Sequence, residues 1–227
     1  MIEALQHVIA HVLRYEVFRI GPVVITSTVV TTWVAMALLL GLVYLLTRRG
    51  FEERPRGAQA FLEIVVEFFY GMAEQFMGRE GRKYAWLYGG LFIAILFLNY
   101  AWMIPGAIPP TSDLMTPVAL AVVAVPMTWV CAVRKKGVKG WLRHFILPSV
   151  ALLPLNILEQ LVRIFSLSVR LFGNMFGEEM VTMTLGTMLP LFGPLPIMAL
   201  GLIFGAVQAY VFSVLTVSYL AEMVQGH

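Results

Sequence analysis

The chain has 227 residues, 59% of them hydrophobic and 13% charged, and its mean hydropathy is +0.83. Soluble domains carry about 25% charged residues, so this chain holds about half the charge that a water-facing surface of its size requires. The composition indicates a membrane protein and excludes a disordered chain or a nucleic-acid-binding module. With a net charge of +3, the excess of Lys and Arg reports first which loops face the cytoplasm. The single cysteine, Cys131, lies in an apolar run and builds neither a disulfide framework nor a thiolate metal site. No cofactor motif is found, and neither a cofactor nor a metal is expected.

Residues 1–21 contain Glu3, His7, His11, Arg14, Glu16 and Arg19. No uninterrupted apolar stretch follows a basic start, so the expectation is an uncleaved segment on the outer side of the membrane. A spanning helix needs about 20 apolar residues, and runs of this kind are expected at 22–47, 84–105, 116–133, 146–189 and 196–224. The fourth, at roughly 44 residues, would make about 66 Å of helix, twice the roughly 30 Å hydrocarbon thickness. It must tilt steeply, break or lie along the membrane. Pro190, Pro194 and Pro196 mark a turn into the last run, so these two runs are expected to form a long, strongly tilted hairpin.

Between the first two runs, residues 58–78 are apolar except for Gln59, Glu63, Glu67 and Glu74. At about 100° per residue these four share one narrow stripe. An amphipathic helix is expected, on the membrane surface or against other helices, its stripe either solvated or docked to a basic partner. The fold class that follows is an all-α membrane protein of one polytopic domain over 1–227: about five apolar helical segments plus one amphipathic surface helix.

Orientation follows from the basic residues. Arg48, Arg49, Arg54 and Arg56 follow the first run, Arg79, Arg82 and Lys83 precede the second, and Arg134, Lys135, Lys136, Lys139 and Arg143 follow the third. If the amphipathic helix returns to its own side, these segments coincide on the cytoplasmic face. The N-terminus, the Pro109–Asp113 loop and the Pro190–Pro196 turn then lie outside, and the C-terminus is cytoplasmic. No internal inverted repeat of the kind common in secondary transporters is apparent.

Two basic residues remain, Arg163 and Arg170, inside the fourth run, where each costs at least about 2.5 to 3.5 kcal/mol on insertion scales. With Glu159 at zero on a helical wheel, Arg163 falls near 40°, Arg170 near 20°, and Asn156 and Asn174 near 60°. Glu159 and Arg163 have the spacing of a helical ion pair. Arg170 has no such partner, since Ser166, Leu167, Gly173 and Asn174 occupy the neighbouring turns. Ser166, Ser168, Gly173 and Gly177 allow close helix approach, which ordinary membrane packing also uses. Glu178 and Glu179 follow within the same run and suggest a proton or cation path. In the last run Gly201, Gly205, Gln208, Phe212, Leu215, Tyr219 and Glu222 share a face. Gln208, the one amide there, either satisfies a backbone carbonyl or faces Arg170 across the hairpin.

At these residues the sequence resembles subunit a of the rotary F-type ATP synthases. The likeness is carried by Ser168-Val169-Arg170-Leu171-Phe172-Gly173-Asn174-Met175 and by Gln208-Ala209-Tyr210-Val211-Phe212, with further similar segments at Asn99 through Pro105, at Pro109-Pro110-Thr111-Ser112-Asp113-Leu114 and at Leu155-Asn156-Ile157-Leu158-Glu159. The resemblance covers most of the chain. It implies a non-catalytic stator subunit beside a rotating ring of c subunits, in the bacterial plasma membrane, with peripheral-stalk b subunits and other ATP synthase subunits as partners. Nucleotide chemistry would belong to those other subunits. It further implies two offset half-channels, with protons favoured as the ion and sodium as the alternative.

By the same resemblance Arg170 is the arginine facing the ring, Gln208 its companion, and Asn174 and Glu179 polar elements of the ion path. Asp113 becomes part of the outer access route, and Asn156, Glu159, Arg163, Tyr219 and Glu222 complete the stripe. Two departures stand out. Ile164 replaces a frequent proline after Arg163. Where the family commonly reads Ala-Gly-Glu, this chain has Gly177-Glu178-Glu179, and Gly201 replaces a frequently titratable residue, so the acidic group is read as having changed helices.

Physical reasoning agrees independently with a fixed positive charge at Arg170: a guanidinium stays protonated in essentially any setting, so its role is electrostatic rather than that of a relay. The alternative is a self-contained proton or cation transporter or channel, which should bring its own complete path. An intramembrane hydrolase is disfavoured, because His7, His11, His144 and His227 all lie outside the spans.

Overall fold

The computed structural model describes residues 16–20, 23–48, 57–103, 108–146, 153–189 and 193–225. Most of the expected outer N-terminal segment, Arg49, Arg54 and Arg56, the end of the second run at Ile104 and Pro105, and Pro190 lie outside the described residues.

The chain opens with an antiparallel strand pair, β1 (Glu16–Ile20) and β2 (Val23–Thr26). The first apolar run, expected to be helical from residue 22, therefore starts as a strand. Val23-Val24-Ile25-Thr26 is entirely β-branched, which favours a paired extended backbone over a helix start. Helix α1 (Ser27–Thr47) follows. It buries only Thr28, Ala35 and Leu39 and turns Trp33, Leu40 and Tyr44 outward. A helix apolar all round with so little protein against it is suited to lipid.

Helix α2 (Ala58–Met77) buries Phe69, Met72, Ala73 and Met77, while Glu63 and Glu67 stay exposed. Glu74 instead pairs with Arg82 at 2.5 Å. Rather than lying apart on a surface, α2 packs against its neighbours. Phe69 meets Phe92 of α3 (Ala85–Asn99) with ring centroids 5.3 Å apart, and Phe68 meets Tyr210 of α6 (Pro194–Gln225) at 6.3 Å. Two 3-10 segments flank α3, Gly78–Tyr84 and Tyr100–Met103, and a short 3-10 turn at Pro110–Ser112 leads to α4 (Met115–Ile146).

Helix α4 runs past the expected end of the third span at residue 133. The basic residues Arg134 to Lys136 stay helical, and the helix breaks its direction at Gly137, whose φ of 74° and ψ of 166° only glycine adopts readily. Next comes α5 (Leu153–Met188), and α6 begins at Pro194, two residues before the expected start. Proline suits a first helical position because it has no N–H to leave unpaired.

The core lies where α3, α4, α5 and α6 meet, around Tyr88, Ile95, Val125, Leu167, Leu171 and Phe212. Lys135 pairs with Glu80, which brings the basic segment before α3 and the basic end of α4 to one side of the molecule. The ammonium beside it holds the Glu80 carboxyl below the usual carboxylate range. A depressed carboxyl contributes above that range, so the contact is present at neutral pH and is lost on acidification. Among the described residues, four stretches are long and apolar enough to cross a membrane: Ser27–Thr47, Gln59–Met103, Met115–Leu142 and Pro194–Val224. Helix α5 is equally long but carries the polar stripe, which lowers its hydropathy.

A polar ladder between the last two helices

Leu167, Ser168, Leu171 and Met175 turn into the core and orient α5. That orientation sets the stripe against or beside α6. At the end of α5 nearer the basic segments, Arg163 is buried, with 7% of its side chain exposed, whereas Glu159 and Glu222 are 51% and 49% exposed. Its guanidinium donates to Glu159 one turn earlier and to Glu222 of α6 at 2.6 Å, and it lies over the Tyr219 ring at 4.4 Å. Burying a guanidinium is costly unless it is paired, and here the pairing crosses the hairpin.

Further along, the Asn174 Nδ2 donates to Gln208 Oε1 at 2.7 Å. Gln208 is 3% exposed, so this bond satisfies an acceptor that would otherwise be costly to bury. The sequence left Gln208 either on a backbone carbonyl or facing Arg170; the geometry gives it Asn174, one turn beyond Arg170. A third rung follows at Glu178. A methyl group placed on Gly201 would overlap the Glu178 carboxyl, so the absent side chain is the seat of that acid.

Arg170 forms no rung. It is exposed, and among the described residues no carboxylate pairs with it. Phe165 and Val169 of α5 are exposed as well, as are Ile203, Phe204, Val207 and Tyr210 of α6. The charge therefore emerges on the exposed face of α5, beside Val169 and one turn from Asn174.

Glu178 and Glu179 line a cavity of about 170 Å³ together with Trp102, Ile108, Pro109 and Met198, room for several waters. Asp113, expected on the access route, lies close by in sequence. It is 6% exposed, and its Oδ1 accepts the Met115 N–H at 3.0 Å, which satisfies the first backbone donor of α4. Asn156 is half-buried near the start of α5 and has an interaction of its own.

Two positioning contacts escaped the sequence reading. Asn99 Nδ2 donates to the Gly205 carbonyl at 2.9 Å, and the Tyr100 hydroxyl donates to the Leu202 carbonyl. A side chain at Gly205 would stand 2.9 Å from the Tyr100 ring, so that glycine admits α3. Asn99, a lone amide closing an apolar run, was the available signal; nothing local marks Tyr100. Among the described residues no group of three His, Cys, Asp or Glu side chains could hold a metal ion.

Residues 29–221 match the family model described as ATP synthase A chain. The chain belongs to the ATP synthase A chain family. It is 50% identical to ATP synthase subunit a of Moorella thermoacetica over 96% of this chain and 99% of that one. It is 41% identical to ATP synthase subunit a 2 of a Bradyrhizobium species, over 91% and 92%, and 36% identical to ATP synthase subunit a of Gloeobacter violaceus, over 94% and 90%. Family membership and the apolar helices make this a multi-pass membrane protein.

The ladder has a direct test. With Cys131→Ala as background, the pair Asn174→Cys and Gln208→Cys should crosslink with a short thiol reagent faster than Arg170→Cys with Gln208→Cys. Disulfides need Cα atoms within about 7 Å, so direct oxidation ranks the same pairs. A faster 170–208 crosslink would reject this register.

Proposed function

We propose that this chain is the stator subunit of the membrane sector of an F-type ATP synthase, lining two half-channels beside a rotating ring and coupling ion flow to ATP synthesis. The observation that carries the reading is Arg170, a fixed charge exposed on a largely apolar membrane helix, with which no carboxylate pairs among the described residues. Left against lipid it would cost at least about 2.5 to 3.5 kcal/mol. A ring carboxylate passing that surface supplies the missing counter-charge. The arginine stabilises the ionised carboxylate, which obliges the site to release its proton or cation before it passes. It also repels a cation leaking directly between the half-channels.

In this reading the cavity at Glu178 and Glu179 is the outer access, with Asp113 holding the start of α4 beside it. Asn174 and Gln208 fix the helices next to Arg170, and Arg163, Glu159, Glu222, Tyr219 and Asn156 stand on the inner side. An ion crossing this path gains about 2.3 kcal/mol per 100 mV, and several together supply torque. Protons are the favoured ion and sodium the alternative. The basic segments around Arg79 to Lys83 and Arg134 to Lys139 face the cytoplasm of a bacterial cell, with the N-terminus outside.

Gentle detergent extraction of the tagged chain should bring down a ring of small two-helix subunits together with peripheral-stalk subunits. Recovery alone or as a homo-oligomer would favour a self-contained transporter instead.

A further inference from the structure

The Arg163 cluster has more in it than an ion pair. One buried guanidinium takes up two half-exposed carboxylates, Glu159 from its own helix and Glu222 from α6, and stacks on Tyr219. Arg170 stands seven residues further, about 10 Å along the helix, and has neither acid. Of the two arginines, the paired one is buried and the unpaired one is exposed.

We propose that Arg163 is a positioning residue that occupies Glu159 and Glu222 so that Arg170 remains the uncompensated cation of the hairpin. This rests on the stator reading of Arg170. Without the Arg163 charge, two carboxylates would stand together without their cation, and Arg170 is the next cation along the stripe. A flexible arginine would be drawn toward Glu222 and away from the outward position. Any charge it kept would be partly neutralised by an acid of its own subunit instead of by the ring.

Glu159 comes from α5, and Glu222 and Tyr219 come from α6. From α4, Trp129 donates to Gln160, both neutral. Among the described residues the other ion pairs, Glu74 with Arg82 and Glu80 with Lys135, involve none of these side chains. Tyr219 keeps the guanidinium in place through its ring face. The Arg163 Nη1 is buried without a partner of its own, so the hold depends on the Nη2 contacts.

The test uses the whole synthase in reconstituted vesicles and reads ion-driven ATP synthesis, with assembly checked by subunit stoichiometry. Arg163→Gln should lower synthesis about tenfold, the scale of coupling within one charged network. Arg163→Lys should retain most of it. Decisively, Arg163→Gln combined with Glu222→Gln should recover toward the level of Glu222→Gln alone, because of the two freed acids the one toward which Arg170 would be drawn is gone. A clamp that merely stapled the two helices would be equally broken in the single and double variants, so no recovery would overturn the proposal. So would loss of synthesis in Glu222→Gln alone, which would make that acid part of the ion path. The Arg170→Ala variant separates the two levels. If it keeps near-normal synthesis, the stator reading itself fails; if it is inactive while Arg163→Gln is normal, only the positioning role fails.

Discussion

Arg170→Ala is expected to abolish ion-driven ATP synthesis while leaving the chain inserted and assembled. The residue is exposed and contributes no described ion pair to the fold, so its removal breaks no contact that holds α5 to α6. On the proposed stator reading, what disappears is a preorganised charge acting on a ring carboxylate in a water-poor setting, a loss of at least about 100-fold by comparison with other preorganised charge stabilisers. Arg170→Lys should also fail substantially, because an ammonium is more compact, lacks the planar fork and deprotonates more readily when desolvated. Synthesis measured in vesicles under an imposed gradient, with subunit stoichiometry as control, decides the matter. Near-normal synthesis in the alanine variant would sink the assignment.

The second large effect concerns Glu178 and Gly201. Glu178→Gln should slow ion transfer by on the order of a hundredfold, the lower end of the range for losing one proton-transferring group. The sequence suggested that an acid restored at Gly201 would compensate. The structure changes how that must be done. Because the Glu178 carboxyl occupies the space of a Gly201 side chain, Gly201→Glu on its own meets an occupied seat, and so does Gly201→Glu combined with Glu178→Gln, since glutamine is as large as the acid it replaces. The compensating pair is Glu178→Gly with Gly201→Glu, which moves the carboxyl from one helix to the other within the same cavity. Flux of protons or sodium in reconstituted vesicles is the readout. Unchanged flux in Glu178→Gln, or a swap no better than Glu178→Gly alone, would leave Glu179 as the acid that matters on this helix.

Much was legible in the sequence because the governing quantities are local. Bilayer thickness sets the length of an apolar run, so the membrane class and the order of the segments follow from counting. Charges inside apolar runs are rare and costly, so Arg163, Arg170, Glu178 and Glu179 announce themselves without any coordinates, and the helical period alone aligns Asn156, Glu159, Arg163, Arg170 and Asn174 on one stripe. The Glu159–Arg163 contact is likewise a property of one helix.

What only the tertiary structure decided is which residues meet across helices. Glu222 joins Arg163 from 59 positions away, and Gln208 meets Asn174 from 34; Gly201 seats Glu178, and Asn99 and Tyr100 grip the carbonyls of α6. The strand pair before α1 and the helical course of α4 through its basic residues also came from the fold. Hydropathy fixes the face that an apolar helix buries but hardly resists sliding it by a turn, since one aliphatic surface packs on another at many offsets. The register is chosen by the few polar groups that must find partners and by the glycines that let one backbone approach another, and both are properties of the assembled helices rather than of any one of them.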